Sequence, residues 1–198
     1  MMHKEITGVI LAGGRSTRMA GEDKGLIQLG DKALYQHVLD QLMPQVGHLI
    51  ICANRNQQRY RESGLPVVSD LTADFPGPLA GMLAGLHYAD NEWIVCAPCD
   101  VPDLPDNLVE QLWQHKGTAL AAYASDGERP HPTLALLHTS LLGNLTDYLA
   151  SGERKLMLFM DAIGAQQVVF NNQQQAFRNL NTQEDCQQWL QEKGIVND

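Results

Sequence analysis

Ile6-Thr7-Gly8-Val9-Ile10-Leu11-Ala12-Gly13-Gly14 is a short apolar, β-branched run that ends in paired glycines. With no helical period in it, the run reads as a buried strand feeding a loop. Helix and strand then alternate outward from it. From Lys32 onward Leu34, Val38 and Leu42 recur every four positions, which predicts an amphipathic helix stopped by Pro44. His48–Ala53 reads as a second strand and Pro66–Ser69 as a third, ending at Asp70. Pro76-Gly77-Pro78 opens a helix marked by Leu79, Met82, Leu83 and Leu86, in which Gly81 and Gly85 allow close approach to a neighbour or a ligand. Trp93–Ala97 is a further buried strand that delivers Pro98-Cys99-Asp100 to its carboxyl end. This alternation predicts an α/β fold with a mostly parallel sheet covered on both faces.

The second half is less regular. A helix near 105–115 precedes strands at Ala119–Ala124 and Thr133–Leu137, which flank a polar loop from Ser125 to Pro132. Helices around 139–150 and 155–162, a strand at Gln167–Phe170 and a last helix capped by Thr182 complete the chain. With no internal repeat and no long linker, the 198 residues read as one domain.

Composition narrows the function classes. The formal net charge is −9, which argues against a broad nucleic-acid or anionic-membrane surface. The charge is uneven, however: residues 15–61 carry seven Lys and Arg against four Asp and Glu, and residues 62–128 carry one against eleven. A locally basic segment beside an acidic one suits an anionic substrate bound with a divalent cation, although charge alone favours a solvated acidic face. Four cysteines do not make a secreted disulfide framework, the start Met1-Met2-His3-Lys4-Glu5 has no apolar signal core, and no run is long enough to span a bilayer. A cytoplasmic protein is expected.

Two segments carry candidate chemistry. In Leu11–Lys24 the paired Gly13 and Gly14 let backbone N–H groups approach a ligand, and Arg18 and Lys24 add cationic donors suited to phosphate oxygens. Neither the P-loop spacing nor G-x-G-x-x-G is present. Asp100, at the carboxyl end of a buried strand, lies where α/β sheets bind ligands and could hold Mg²⁺ against phosphates, or could cap the helix that follows; Asp103 is the neighbouring alternative. Cys96 and Cys99 have redox spacing, but with no second pair for zinc and Asp100 following at once they are expected to be buried packing residues. His131, between two prolines, is the one histidine expected to line a site. No nucleophile elbow supports hydrolase chemistry.

Together these segments resemble a known family. Residues 11–24 are similar to the L-x-G-G-x-x-x-R-M-G-x-D-K signature of nucleotidyltransferases. Pro76–Met82, Pro98–Pro102, Asp126–Thr133, Gly152–Met157 and Phe177–Thr182 narrow the resemblance to the molybdenum cofactor guanylyltransferases over residues 6–190. The resemblance implies a three-layer, Rossmann-like fold and a Mg²⁺- or Mn²⁺-dependent transfer of GMP from GTP to the phosphate of Mo-molybdopterin. It implies Leu11, Ala12, Gly13, Gly14, Cys52, Asp70 and Gly81 at the nucleotide, Arg18 and Lys24 at its phosphates, Asp100 at both metal and nucleotide, and Asn179 and Asn181 at the acceptor. His131, Arg154 and Lys155 join the acceptor set, the last two as adjacent cations that could otherwise face solvent.

Residues 1–105 would then form the nucleotide half and residues 106–198 the acceptor half. Other cofactor-assembly proteins and recipient molybdoenzymes are the partners the family implies. Two positions depart from the pattern: Ala20 replaces a glycine, and Cys52 stands where an asparagine is expected, with Asn54 two residues on. A side-chain contact would suffer from Cys52; a backbone contact would not. A cytidylyltransferase or sugar-phosphate enzyme of the same superfamily, and a nucleotide-binding protein without turnover, are the competing readings.

Overall fold

The computed structural model describes residues 3–12, 18, 19, 21–71 and 77–195. The elements run β1 (His3–Leu11), β2 (Arg18–Met19), β3 (Glu22–Asp23), β4 (Gln28–Leu29), β5 (Lys32–Ala33), α1 (Leu34–Leu42), β6 (Val46–Cys52), α2 (Gln57–Arg61), β7 (Val67–Val68), α3 (Pro78–Tyr88) and β8 (Trp93–Pro98). Then come α4 (Leu108–His115), β9 (Ala121–Ser125), β10 (Pro130–His138), α5 (Leu142–Ala150), α6 (Leu156–Ala162), β11 (Gln166–Val169) and α7 (Gln183–Glu192).

Among the described residues one seven-stranded sheet has the order β11-β9-β10-β8-β1-β6-β7. Only β10 runs antiparallel to its neighbours. Side chains alternate across it. On β1, Ile6 and Ile10 enter one core with Tyr35 and Val38 of α1, Tyr60 of α2 and Leu108 and Leu112 of α4. Val9 and Leu11 enter the other with Met82 and Leu86 of α3, Leu145 and Leu149 of α5 and Phe159 of α6. This is the three-layer arrangement expected, and at about 1.5–3 kcal/mol for each fully buried large aliphatic or aromatic side chain the two cores supply the main driving force.

Helix α1 buries Leu34, Val38 and Leu42 as the four-residue spacing predicts, and Pro44 falls in the 3-10 turn that ends it. Helix α3 is apolar all round because it is buried between sheet and α5. Its glycines meet protein: a Cβ at Gly81 would lie 2.9 Å from Leu11 Cδ2, and one at Gly85 would lie 3.1 Å from both Val9 methyls.

One boundary changes. The polar stretch Ser125–Pro132 is a tight turn, and β10 already begins at Pro130 with His131 on the strand, opposite Ala124. Pro130 is accommodated as the first residue of the strand, and Pro132 where the register shifts between His131 and Ala135. The hairpins β2–β3 and β4–β5 and the five-residue α2 carry no period long enough to read from sequence. A third apolar cluster, of Met19, Leu29, Leu34, Leu180, Cys186, Trp189 and Leu190, clamps α7 over these hairpins.

Candidate active site

Strands β1 and β8 lie side by side and parallel, and the Cys99 N–H donates to the Leu11 carbonyl at 3.2 Å where both end. The next residue, Asp100, is only 7% exposed. The turn after β3 brings Lys24 to it, with Nζ 3.2 Å from Oδ2 and Lys24 itself 6% exposed. The segment after β11 then crosses over the pair. The Leu180 N–H donates to the Asp100 carbonyl at 2.9 Å, Asn179 Nδ2 donates to Asp100 Oδ1 at 3.2 Å, and Lys24 Nζ donates to Asn181 Oδ1 at 2.9 Å. Residues separated by up to 157 positions thus form one cluster. A buried ammonium and carboxylate are tolerable only as such a hydrogen-bonded pair, so each holds the other in place.

The arm that carries the asparagines is itself fixed. Asp185 accepts from the N–H groups of Asn181 and Thr182 while Thr182 Oγ1 accepts from the Asp185 N–H, a capping box that starts α7. Those backbone donors, that of Asn181 foremost, hold the Asp185 carboxyl below its usual range. Asp103, the alternative metal ligand in the sequence, is occupied: it accepts from Trp189 Nε1 at 2.9 Å and pairs with Lys193 at 2.9 Å and Arg178 at 3.7 Å. It ties α7 to the loop after β8.

The other expected residues are placed as follows. The Leu11 side chain is buried in the α3 core, while its carbonyl and the Ala12 N–H are bonded to Cys99 and Cys52. The Cys52 side chain faces the α3 core, which leaves its backbone for any nucleotide contact: it is 1% exposed, its Sγ donates to the Gly81 carbonyl, and burial pushes its thiol up to about 12. Gly81 packs against Leu11, where a Cβ would lie 2.9 Å from its Cδ2. Asn54 is the asparagine that matters locally, because its Nδ2 donates to Asp70 Oδ2 at 2.7 Å and its Oδ1 accepts from the Asp70 N–H at 2.8 Å. Desolvation raises the Asp70 carboxyl against that bond. Cys96 and Cys99 enter cores on opposite faces of the sheet, and burial pushes both thiols up, which removes the redox reading.

His131 Nε2 is 2.8 Å from Asp126 Oδ2, and its ring stacks on Phe177 at 4.9 Å, two residues before Asn179. Arg154 Nη1 donates to the Leu149 and Glu153 carbonyls at the end of α5, and Lys155 precedes α6 on the surface. Gly13, Gly14 and the Arg18 side chain lie outside the described residues.

A model of the MobA-like NTP transferase domain matches residues 8–168. The chain is 69% identical over 197 residues to the molybdenum cofactor guanylyltransferase of Serratia proteamaculans (strain 568), covering 100% of both. It is 60% identical over 192 residues to the protein of that name from Yersinia pestis (strain Pestoides F), covering 97% of this chain and 98% of the relative. The chain belongs to the MobA-like NTP transferases. The solved structure of molybdopterin-guanine dinucleotide biosynthesis protein A from Archaeoglobus fulgidus shares the fold, with a TM-score of 0.75 at 22% identity over 96% of this chain and 100% of that one.

For a MobA-like transferase the chemistry of the donor set matters. Among the described residues no three His, Cys, Asp or Glu side chains converge as a metal cage. Asp100 could offer a single hard oxygen donor, which would fit an ion that takes one protein carboxylate and completes its shell with substrate phosphates and water. Sequence reasoning missed Asp23, Asn56 and Tyr60, which are bonded to one another beside Lys24. Of these only Asp23 carried a signal, as the residue before the signature lysine.

Proposed function

We propose that this MobA-like nucleotidyltransferase transfers GMP from GTP to the terminal phosphate of Mo-molybdopterin, releasing pyrophosphate. The observation that carries the reading is the buried Lys24–Asp100 pair, closed over by Asn179 and Asn181, in a chain 69% identical to a relative named for that activity.

The acceptor's phosphate oxygen attacks the α-phosphorus as the bond from that phosphorus to the bridging oxygen breaks, and the electron pair leaves with pyrophosphate. The attacking oxygen is already ionised near neutral pH, so no dedicated general base is needed. Lys24 neutralises phosphate charge in a water-poor site, where a fixed cation is worth most. Asp100, with the triphosphate, would hold Mg²⁺ or Mn²⁺, and an ion there supplies further charge neutralisation and alignment of the triphosphate. Backbone groups of Leu11–Gly14, with Arg18 and Asp70, are assigned to the nucleotide side. Asn179, Asn181, His131, Arg154 and Lys155 are assigned to the acceptor side, so residues 1–105 and 106–198 divide the substrates between them. Arg154 would have to keep its place on the end of α5 while doing so.

No helix among the described residues is long and apolar enough to cross a membrane. We assign the protein to the cytoplasm, with other cofactor-assembly proteins and recipient molybdoenzymes as partners that pass on a labile product.

Pyrophosphate release with GTP, Mg²⁺ and Mo-molybdopterin tests the reading. Release with CTP alone would establish a cytidylyl transfer instead, and release with neither would establish a binding protein. Omitting the divalent ion should abolish the GTP signal.

A further inference from the structure

Tyr60 has no part in the chemistry above, yet its hydroxyl reaches the segment that carries Lys24. The residue lies on α2, is 0% exposed, packs edge-on against Tyr35 at 4.9 Å and donates to Asp23 Oδ1 at 2.8 Å. Burial pushes the phenol pKa up, so the hydroxyl remains a proton donor at any working pH. Asn56, which enters α2 with a left-handed φ of 54°, donates from Nδ2 to Asp23 Oδ2 at 3.3 Å. Asparagine tolerates that conformation better than most residues. Both oxygens of a buried carboxylate are therefore bonded, immediately before Lys24.

The residue on the other side of Lys24 is constrained by the same hydroxyl. A Cβ at Gly25 would lie 2.5 Å from Tyr60 Oη and 3.4 Å from Cys99 Cβ, so only glycine passes between Tyr60 and the residue before Asp100. Lys24 is thus flanked by two residues set by one side chain. We infer that Tyr60 is a positioning residue, whose hydroxyl fixes Asp23–Gly25 so that the Lys24 ammonium meets phosphate at the Asp100 site. The inference rests on the transferase reading for the identity of the phosphate.

Acting through Lys24 makes a prediction that general destabilisation does not. In the full-length protein Tyr60→Phe should weaken pyrophosphate binding, measured by calorimetry with Mg²⁺, and lower kcat, each by about tenfold, the loss of one buried hydrogen bond. In a Lys24→Ala background the same substitution should change either quantity by less than about twofold, because coupled residues are not additive. Asp23→Ala should show the same dependence on Lys24, and serves if Tyr60→Phe does not fold. Equal losses in both backgrounds, or no loss in the wild-type background, would overturn the proposal. A wild-type protein that binds pyrophosphate but turns over neither GTP nor CTP would overturn the transferase reading, and the binding cycle alone would then decide Tyr60.

Discussion

The two ends of the central sheet differ in kind. At the amino ends of β1 and β8 lies a cavity of about 690 Å³, lined by His3–Ile6, Asp90–Trp93 and Trp113. Trp93 and Trp113 meet edge to face there, and Lys116 lies 4.8–4.9 Å from both ring centroids. At the carboxyl ends Lys24, Asp100, Asn179 and Asn181 are drawn together by bonds of 2.9–3.2 Å. The first end is roomy and has its charges at the solvent edge; the second holds a buried ion pair. What separates them is polar order, since buried charge persists only where many groups cooperate to hold it.

Substitutions at each end can break or sharpen this contrast. The largest effect is expected from Asp100→Ala, which should lower turnover by about a thousandfold while circular dichroism still reports the fold. Retained turnover would remove Asp100 from the metal role. Lys24→Ala should cost about a hundredfold in kcat, as the loss of one preorganised cation does, with GTP affinity changing less. Asn179→Ala should raise the acceptor KM about tenfold and leave GTP binding within twofold, which steady-state kinetics with each substrate varied would separate.

The His131 hydrogen bond first, and the Arg129 N–H after it, lower the Asp126 carboxyl to about 2 from its ordinary 3.8. A carboxylate depressed in the folded chain stabilises fully above the unfolded value, and loses that contribution as pH falls from about 4 toward 2, because the unfolded chain takes up the proton first. The Tm deficit of Asp126→Asn should accordingly be full at neutral pH and shrink across that window. The smallest effect belongs to the amino end, where Trp113→Ala should leave kcat and both KM values within about twofold. A larger change would mean that the two ends communicate.

Much of this was legible in the sequence, for identifiable reasons. β1, β6 and β8 are buried on both faces, so their apolar runs are continuous, and α1 announces itself by its period. Lys24 and Asp100 stand out because charge next to an apolar strand end is unusual. Choosing Asp100 over Asp103 was beyond a local reading, since both follow the same strand; what separates them is the C-terminal segment, where Trp189 of α7 and Lys193 just after it occupy Asp103 from 86 and 90 positions away. Asn179 and Asn181 were accessible only through the family resemblance, because an arm with no regular structure leaves no period. That the Cys52 side chain faces the α3 core was not legible, because family position does not say which way a side chain points. Tyr60 was invisible, since a five-residue helix is too short to show a face.

The Leu180 N–H bond to the Asp100 carbonyl also orders events in time. All seven strands of the sheet are complete by Val169, ten residues before Asn179. A nascent chain that has left the ribosome only that far can close its sheet with Asp100 at the strand end, but neither asparagine is yet present and α7 is not there to brace the hairpins. Vectorial synthesis therefore produces a scaffold before it produces a catalyst, and translation stalled at that point yields a chain that can fold its sheet without assembling the site.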